Sequence, residues 1–230
     1  MTPLTLLPGL ACDAELWREQ LPALAALGPV RVADVHARAA SLPAMAALLL
    51  AESDGPLRLI GTSMGGMLAL EVARQAPQRV QALALLATSA RADPPELRQL
   101  RTQAIELFAA GRVDEVLQAN LAFAFHPAHA ATLAPAYLAM IHRAGAAQLI
   151  AQNRALLARA DYRGLLGELR CPTLVVCGRD DLLTPPEHSQ ELADGIRGAR
   201  LEWLADCGHL LGWEQPQRLN ALLCAWLRRL

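Results

Sequence analysis

The sequence predicts an α/β protein with a mostly parallel sheet of about six strands, flanked by helices and carrying an all-helical insertion after the fourth strand. Three observations support this fold class. Short apolar runs alternate with helical patterns over residues 4–87. A glycine-rich turn joins a buried strand to a helix at residues 61–66. Residues 93–168 carry helical patterns and no convincing strand. Strands and helices that alternate with short connections are typical of a parallel sheet covered on both faces.

The strands and helices of residues 4–87 are predicted from apolar periodicity and from the residues that begin or end each element. Strands are predicted at 4–7, 30–35, 57–60 and 80–87, and helices at 14–27, 41–51 and 67–75. Asp13 is the expected N-cap of the first helix. Pro77 ends the third helix, because proline cannot continue the hydrogen-bond ladder.

Helices then dominate the middle of the chain. They are predicted at 94–110, 113–122, 128–144 and 146–160, the last two separated by Gly145. Strands resume at 172–176 and 200–204, and further helices at 186–195 and 216–230. We therefore expect a core domain made of residues 1–92 and 169–230, with residues 93–168 as a helical cap over the end of the sheet that carries Ser63.

Composition excludes several classes of function. A net charge of −1 provides no basic field for nucleic acid or anionic lipid. All 21 basic residues are Arg, so Schiff-base lysine chemistry and the phosphate-binding lysine of P-loops are excluded. Five cysteines, without zinc spacing, are expected to be reduced. Residues 1–9 do not resemble a signal peptide, and no apolar run is long enough to span a bilayer. These features predict a cytoplasmic protein without a membrane or nucleic-acid partner.

Ser63 is the expected nucleophile. It stands in Gly61-Thr62-Ser63-Met64-Gly65, between a predicted strand and a predicted helix, which is the context that a G-x-S-x-G turn requires. A serine in a strained turn needs small neighbours two positions away on either side, and Gly61 and Gly65 supply them. The amide of Met64, at the start of the helix, is one expected oxyanion donor. The alternative interpretation is an ordinary glycine-rich turn with an incidental serine.

A serine nucleophile needs a base, and the base needs an acid that orients it. His209 follows a predicted strand behind Gly208, and Asp180 or Asp181 follows another strand behind Gly178. The order serine, acid, histidine is that of a nucleophile-elbow hydrolase. The other five histidines are expected to be solvated or to line helices.

These motifs resemble the α/β-hydrolase fold superfamily over nearly the whole chain. Residues 61–66 are similar to its G-x-S-M-G-G elbow, and residues 178–185 to its acid loop G-x-x-D-x-x-x-P, which selects Asp181 over Asp180. Residues 208–216 match G-H-x-x-x-x-E-x-P, which makes His209 the base and includes Glu214. Pro8-Gly9-Leu10 replaces the usual His-Gly after the first strand, and the resemblance implies Leu10 as the second oxyanion donor.

The resemblance implies a serine esterase that needs no metal or organic cofactor and acts on a small-molecule ester or lactone. Residues expected to line a mainly apolar acyl pocket are Leu107, Phe108, Phe123, Phe125, Tyr137 and Met140. At helical spacing, most of them are expected to be core residues. Enol-lactonase, carbon–carbon bond hydrolase and lyase activity on the same triad remain alternatives, as does a ligand-binding protein without catalysis. An exposed sheet edge favours dimerisation, so the chain is expected to be a monomer or a homodimer.

Overall fold

The computed structural model describes residues 2–230 and contains, over that range, a six-stranded sheet in which all neighbouring strands are parallel. The strands are β1 (Leu4–Leu7), β2 (Val30–Val32), β3 (Leu57–Thr62), β4 (Val80–Leu86), β5 (Thr173–Gly178) and β6 (Arg200–Leu204). Their order across the sheet is β2-β1-β3-β4-β5-β6. The predicted fold class is therefore confirmed. The edges are β2 and β6, and whether either supports a dimer stays a prediction.

Eleven α-helices accompany the sheet in the part of the chain that the structure describes. They are α1 (Leu21–Ala25), α2 (Val35–Arg38), α3 (Leu42–Ala51), α4 (Met64–Gln75), α5 (Pro95–Ala109), α6 (Val113–Ala124), α7 (Pro127–Leu157), α8 (Arg163–Leu166), α9 (Pro186–Gly195), α10 (Leu211–Glu214) and α11 (Pro216–Leu227). Single turns of 3₁₀ helix cover Ala14–Trp17 and Pro77–Arg79. None of the helices described here is long and apolar enough to cross a membrane.

Two predicted elements near the start of the chain are wrong in extent. The helix expected at 14–27 is divided into a 3₁₀ turn and α1, because Pro22 has no amide hydrogen and would clash with the carbonyl one turn earlier in a continuous helix. Asp13 nevertheless caps the 3₁₀ turn by accepting a hydrogen bond from the amide of Glu15. The strand expected at 30–35 ends at Val32. Val35 is instead the first residue of α2, and its side chain is buried.

Helices α5 to α8 occupy the chain between β4 and β5, where helices alone were predicted. The two helices expected on either side of Gly145 form α7, which is interrupted at Gly145 by φ 74° and ψ 169°. That conformation is open almost only to glycine, so the predicted break is a kink inside one long element. The short helix α8 was not predicted.

The core lies on both faces of the sheet. Ala82, Ala84 and Leu86 of β4 join one buried cluster, and Leu83 and Leu85 join the other, as the alternation of side chains along a strand requires. Apolar residues of α3 and α4 cover the face that receives Leu83. Residues of α11 cover the opposite face, where buried side chains of α5, α6 and α7 belong to the same cluster.

Candidate active site

Ser63 lies at the junction of β3 and α4 in a strained backbone conformation. Its φ of 55° and ψ of −119° fall outside the regions that non-glycine residues normally adopt, at a cost of about 1–3 kcal/mol. The surrounding structure holds this turn in place. The amide of Ser63 donates to the carbonyl of Leu86 at 2.9 Å, and the hydroxyl of Thr88 donates to the carbonyl of Ser63 at 2.7 Å.

The glycines of the turn are required by close approaches of the backbone. A Cβ atom at Gly61 would collide with the carbonyl of Gly65, and one at Gly65 would lie 2.6 Å from the carbonyl carbon of Leu7 in β1. At Gly66 it would lie 2.6 Å from the Thr88 side chain. The first strand and the start of α4 therefore approach each other at a distance that only glycine allows.

His209 and Asp181 form a buried pair at the ends of β6 and β5. The Nδ1 atom of His209 lies 2.9 Å from Oδ2 and 3.0 Å from Oδ1 of Asp181. Both side chains are almost fully buried, with exposed side-chain fractions of 6% and 0%. A carboxylate can only accept, so Nδ1 carries a hydrogen and donates a hydrogen bond to Asp181. In the neutral ring, Nε2 is then the acceptor.

The surroundings of Asp181 favour its charged form. Burial alone would raise the pKa of this carboxyl group, but the charge and hydrogen bond of His209 and the hydrogen bonds from Thr184 more than offset it, so the pKa lies below the usual value. Oδ1 accepts from the amides of Leu183 and Thr184, both at 2.9 Å, and Oδ2 accepts from the Thr184 hydroxyl at 2.9 Å. Asp180, by contrast, is exposed, and its carboxylate accepts from the amide of Cys207 at 3.3 Å.

The loop that carries His209 returns from β6 toward Ser63. Thr62, the residue before Ser63, lines one small cavity together with Leu210 and Leu211, the residues after His209. Within residues 2–230, however, the Ser63 hydroxyl makes no hydrogen bond to the His209 ring. Such a contact is often long in enzymes without substrate and closes only in the reacting complex.

Glu214 organises the backbone around His209, although it was predicted only as part of a motif. Its Oε2 accepts hydrogen bonds from the amide of Gly208 at 3.0 Å and from that of His126 at 2.7 Å. Its Oε1 accepts from the amide of Leu210 at 3.0 Å. The His209 amide also donates to the carbonyl of Ala124, at 3.3 Å. The inserted helices and the His209 loop are therefore held to each other.

Leu10 and Met64 lie on two sides of the turn at Ser63. A Cβ atom at Gly9 would lie 3.5 Å from the Cβ of Ser63, so the loop after β1 rests against the turn. Met64 is the first residue of α4, where the helix presents unpaired amides and the positive end of its dipole. Among the described residues, neither the Leu10 nor the Met64 amide donates a hydrogen bond to another protein group, so both remain available.

A family model described as alpha/beta hydrolase fold matches residues 43–216, which is most of the chain. The chain belongs to the α/β-hydrolase fold family. It is a hydrolase of this fold.

This α/β hydrolase is similar to named esterases and shares its fold with a lactonase of known structure. Pimeloyl-[acyl-carrier protein] methyl ester esterase of Neisseria meningitidis serogroup B is 29% identical over 220 residues, which cover 89% of this chain and 84% of the relative. The solved structure of a thermophilic esterase from Thermogutta terrifontis is 27% identical, with a TM-score of 0.90 over 100% of this chain and 90% of that chain. The enol-lactonase from Burkholderia xenovorans LB400 has a TM-score of 0.88 over 99% and 91% of the two chains, and at 24% identity it shows a shared fold.

The apolar residues predicted for the acyl pocket of the hydrolase differ in exposure. Phe108, Phe125 and Met140 are buried, and Leu107 and Tyr137 are partly buried in the same apolar cluster. That cluster also contains Ala11 and Cys12 of the loop after β1. The rings of Phe125 and Tyr137 meet edge to face, 5.4 Å apart between centroids. Phe123 stands apart, because 48% of its surface is exposed.

Four of the five remaining histidines of the hydrolase have partners that sequence patterns did not reveal. His126 caps α7 by accepting from the amide of Ala128, and His129 lies 3.0 Å from the carbonyl oxygen of Asp206. His142 forms an exposed pair with Asp114. His36 was expected to be solvated or to line a helix, but it is buried and lies 2.8 Å from the carbonyl oxygen of Cys12. No local signal pointed to that contact.

Proposed function

We propose that this hydrolase cleaves a carboxylic ester of a small or medium-sized substrate through an acyl-enzyme on Ser63. The single observation that supports this most strongly is the buried pair of His209 and Asp181, 2.9 Å apart, on the loops that end β6 and β5. A histidine oriented by a carboxylate is the base that a serine hydroxyl requires. The order of the three residues in the chain and their placement on separate loops agree with this assignment.

In the proposed reaction, Nε2 of His209 removes the proton of Ser63 as its Oγ attacks the substrate carbonyl carbon. Asp181 holds the ring by its Nδ1 hydrogen bond and stabilises the imidazolium that forms. The amides of Leu10 and Met64 bind the oxyanion, and each such donor contributes about 3–4 kcal/mol in comparable sites. His209 returns the proton to the leaving alcohol, and water then hydrolyses the acyl-enzyme with the same histidine as base.

We further propose that residues 93–168 form a cap over this site and that residues 1–92 and 169–230 form the catalytic core. The contacts of Glu214 with His126 and of His209 with Ala124 support a cap that meets the core beside the base. The acyl chain would then lie among Leu107, Phe108, Phe125, Tyr137 and Met140, with Phe123 nearer to solvent.

Ester hydrolysis is preferred because two named esterases match most of the chain, at 29% and 27% identity. A putative carbamate hydrolase of Rhizobium rhizogenes, 31% identical over 74% of the chain, also supports hydrolysis at a carbonyl carbon. The enol-lactonase of known structure supports the alternative through its fold alone. The same three side chains and two amides would serve a lactone, since attack on a lactone carbonyl differs only in the leaving group, which stays attached.

The test is hydrolysis of p-nitrophenyl esters of increasing acyl length by the wild type, by Ser63→Ala and by the matched control Ser89→Ala. Ser89 follows β4, and its side chain is buried and accepts a hydrogen bond from the amide of Arg91. Intact mass after a fluorophosphonate probe should show one label on the wild type and on Ser89→Ala, and none on Ser63→Ala. Labelling without ester turnover would favour the lactone alternative. Equal turnover by Ser63→Ala and the wild type would overturn the proposal.

A further inference from the structure

The loop after β1, residues 9–13, contains few internal hydrogen bonds that could hold its conformation. Ala11 has φ 55°, a left-handed value that non-glycine residues rarely adopt. Within the loop, the amide of Cys12 donates to the carbonyl of Gly9 at 3.2 Å, and the Cys12 thiol lies 3.4 Å from the carbonyl oxygen of Leu10. Its shape therefore depends on groups that lie elsewhere in the chain.

Gln152, on α7, supplies one of these groups. Its Oε1 accepts a hydrogen bond from the amide of Ala11 at 2.6 Å, and its Nε2 donates to the carbonyl of His36 at 2.9 Å. Only 1% of Gln152 is exposed, so both of these hydrogen bonds are shielded from water. A buried amide side chain that is satisfied at both ends is held in one orientation.

His36 completes the arrangement on the other side of Ala11. Burial lowers the pKa of His36, which favours the neutral ring. Because the carbonyl oxygen of Cys12 can only accept, Nε2 of His36 carries the hydrogen of that 2.8 Å contact. The side chain of Gln152 also donates to the backbone carbonyl of His36. The two residues that hold the amide of Ala11 and the carbonyl of Cys12 are therefore joined to each other.

We propose that Gln152 is a positioning residue for the oxyanion hole. This inference rests on the proposed function, in which the Leu10 amide is a donor. Leu10 is held on one side by Gly9, packed against Ser63, and on the other by Ala11, bonded to Gln152. An oxyanion donor is effective only when it is aimed in advance at the place where charge develops. Gln152 therefore connects the inserted helices to the geometry of the reaction, without contacting the substrate.

The test compares Gln152→Met with Asn153→Leu. Both replacements remove a buried amide from neighbouring positions of α7 and put an apolar side chain of similar length in its place. Asn153 bonds to Leu149 and Arg101, away from the loop after β1, and so serves as the matched control. Each variant is assayed for kcat and KM with p-nitrophenyl butyrate, for inhibition by an alkyl trifluoromethyl ketone, and for thermal unfolding. The ketone forms a tetrahedral oxyanion on the serine and so depends on the same donors as the transition state.

For Gln152→Met we expect a fall in kcat of about tenfold to a hundredfold, less than the loss of a whole oxyanion donor, with KM within about twofold. The ketone should lose affinity by the same factor as kcat/KM. Asn153→Leu should keep both values even if its Tm falls. Gln152→Asn retains a polar amide that is too short for both hydrogen bonds, and it should show the same pattern if the Met variant does not fold.

Unchanged ketone affinity in Gln152→Met would overturn the inference, as would a change in KM with no change in kcat. The proposed function would still stand in either case, provided that turnover depends on Ser63. The same loss in Asn153→Leu would also overturn the inference, because the effect would then come from packing. Turnover that persists in Ser63→Ala would instead refute the proposed function itself, and the inference with it.

Discussion

The Oε2 atom of Glu214 lies 2.7 Å from the backbone nitrogen of His126, and this contact joins the start of α7 to the loop that carries His209. The same carboxylate accepts hydrogen bonds from the amides of Gly208 and Leu210. Removing it leaves three backbone donors without their partner, and an unsatisfied buried donor costs about 1–3 kcal/mol. The residues on both sides of the proposed base therefore depend on one side chain.

We expect Glu214→Ala to lower Tm and to reduce kcat by about tenfold to a hundredfold, because small displacements of a catalytic group have effects of that size. Glu214→Gln keeps one acceptor oxygen and should lose less. Ester turnover and thermal unfolding provide the measurements, and Glu168→Ala, at an exposed position, is the control. An unchanged kcat in a folded Glu214→Ala would show that the loop keeps its shape without this carboxylate.

The two neighbouring aspartates should behave differently. Asp181→Asn puts a side chain that can donate opposite Nδ1 of His209 and removes the carboxylate that stabilises the imidazolium, so kcat should fall by about 10⁴-fold. Asp180→Asn keeps an oxygen that can accept from Cys207, and its kcat should stay within about twofold of the wild type, as for an ordinary surface substitution. Steady-state kinetics of both variants at pH 8 show which of the two aspartates supports catalysis. Equal losses would mean that the carboxylates share the role.

Gly65→Ala should be strongly destabilising. The added Cβ atom would lie 2.6 Å from the carbonyl carbon of Leu7, and β1 cannot retreat without breaking its pairing with β2 and β3. Gly164→Ala, in α8, meets no atom within 4 Å and should be neutral or slightly stabilising, because alanine favours a helix over glycine by about 1 kcal/mol. Urea unfolding of both variants tests the difference. A Gly65→Ala protein as stable as the wild type would contradict the close approach.

Asp93 gives the hydrolase a pH-dependent contribution to stability. Its side chain is fully buried and lies 2.7 Å from both Arg101 and Arg159. Burial alone would raise the pKa of Asp93, but the two guanidinium groups more than offset it and hold the pKa below the usual 3.8. A carboxyl group with a lowered pKa in the folded state stabilises the fold above its ordinary pKa, and this stabilisation is lost as the pH falls through the folded value.

Asp93→Asn should therefore cost about 3–5 kcal/mol of unfolding free energy at pH 7, where it leaves the buried Arg159 and the partly buried Arg101 without a counter-charge. The difference from the wild type should shrink as the pH falls from 3.8 toward the lower folded pKa, because the carboxyl of the unfolded chain is protonated first. It should be lost once the folded carboxyl is protonated as well. Urea titrations at several pH values measure this trend. Asp114→Asn, at an exposed position, is the control. A difference that does not change with pH would contradict the assignment.

Local patterns were sufficient for elements that begin and end at strong signals. The bounds of β1, α9 and β6 agree with the predicted ones, because each apolar or helical run stops at Pro, Gly or a polar turn. The same signals did not reveal the division at Ala14–Ala25, where Pro22 interrupts a continuous apolar pattern of helical period. The predicted break at Gly145 is confirmed, because its backbone is not helical and α7 is kinked there.

The strand-turn-helix context of Ser63, the two glycines that make the turn possible, and the chain order of serine, acid and histidine could all be read from local patterns. These properties depend on residues close together in the chain, where sterics and periodicity act directly. Only the tertiary structure decided that Gln152 reaches Ala11 across 141 positions and that Glu214 reaches His126 across 88. A glutamine or glutamate in a helical pattern carries no local sign of its partner, because a hydrogen bond between distant segments exists only after the sheet and the inserted helices have packed together.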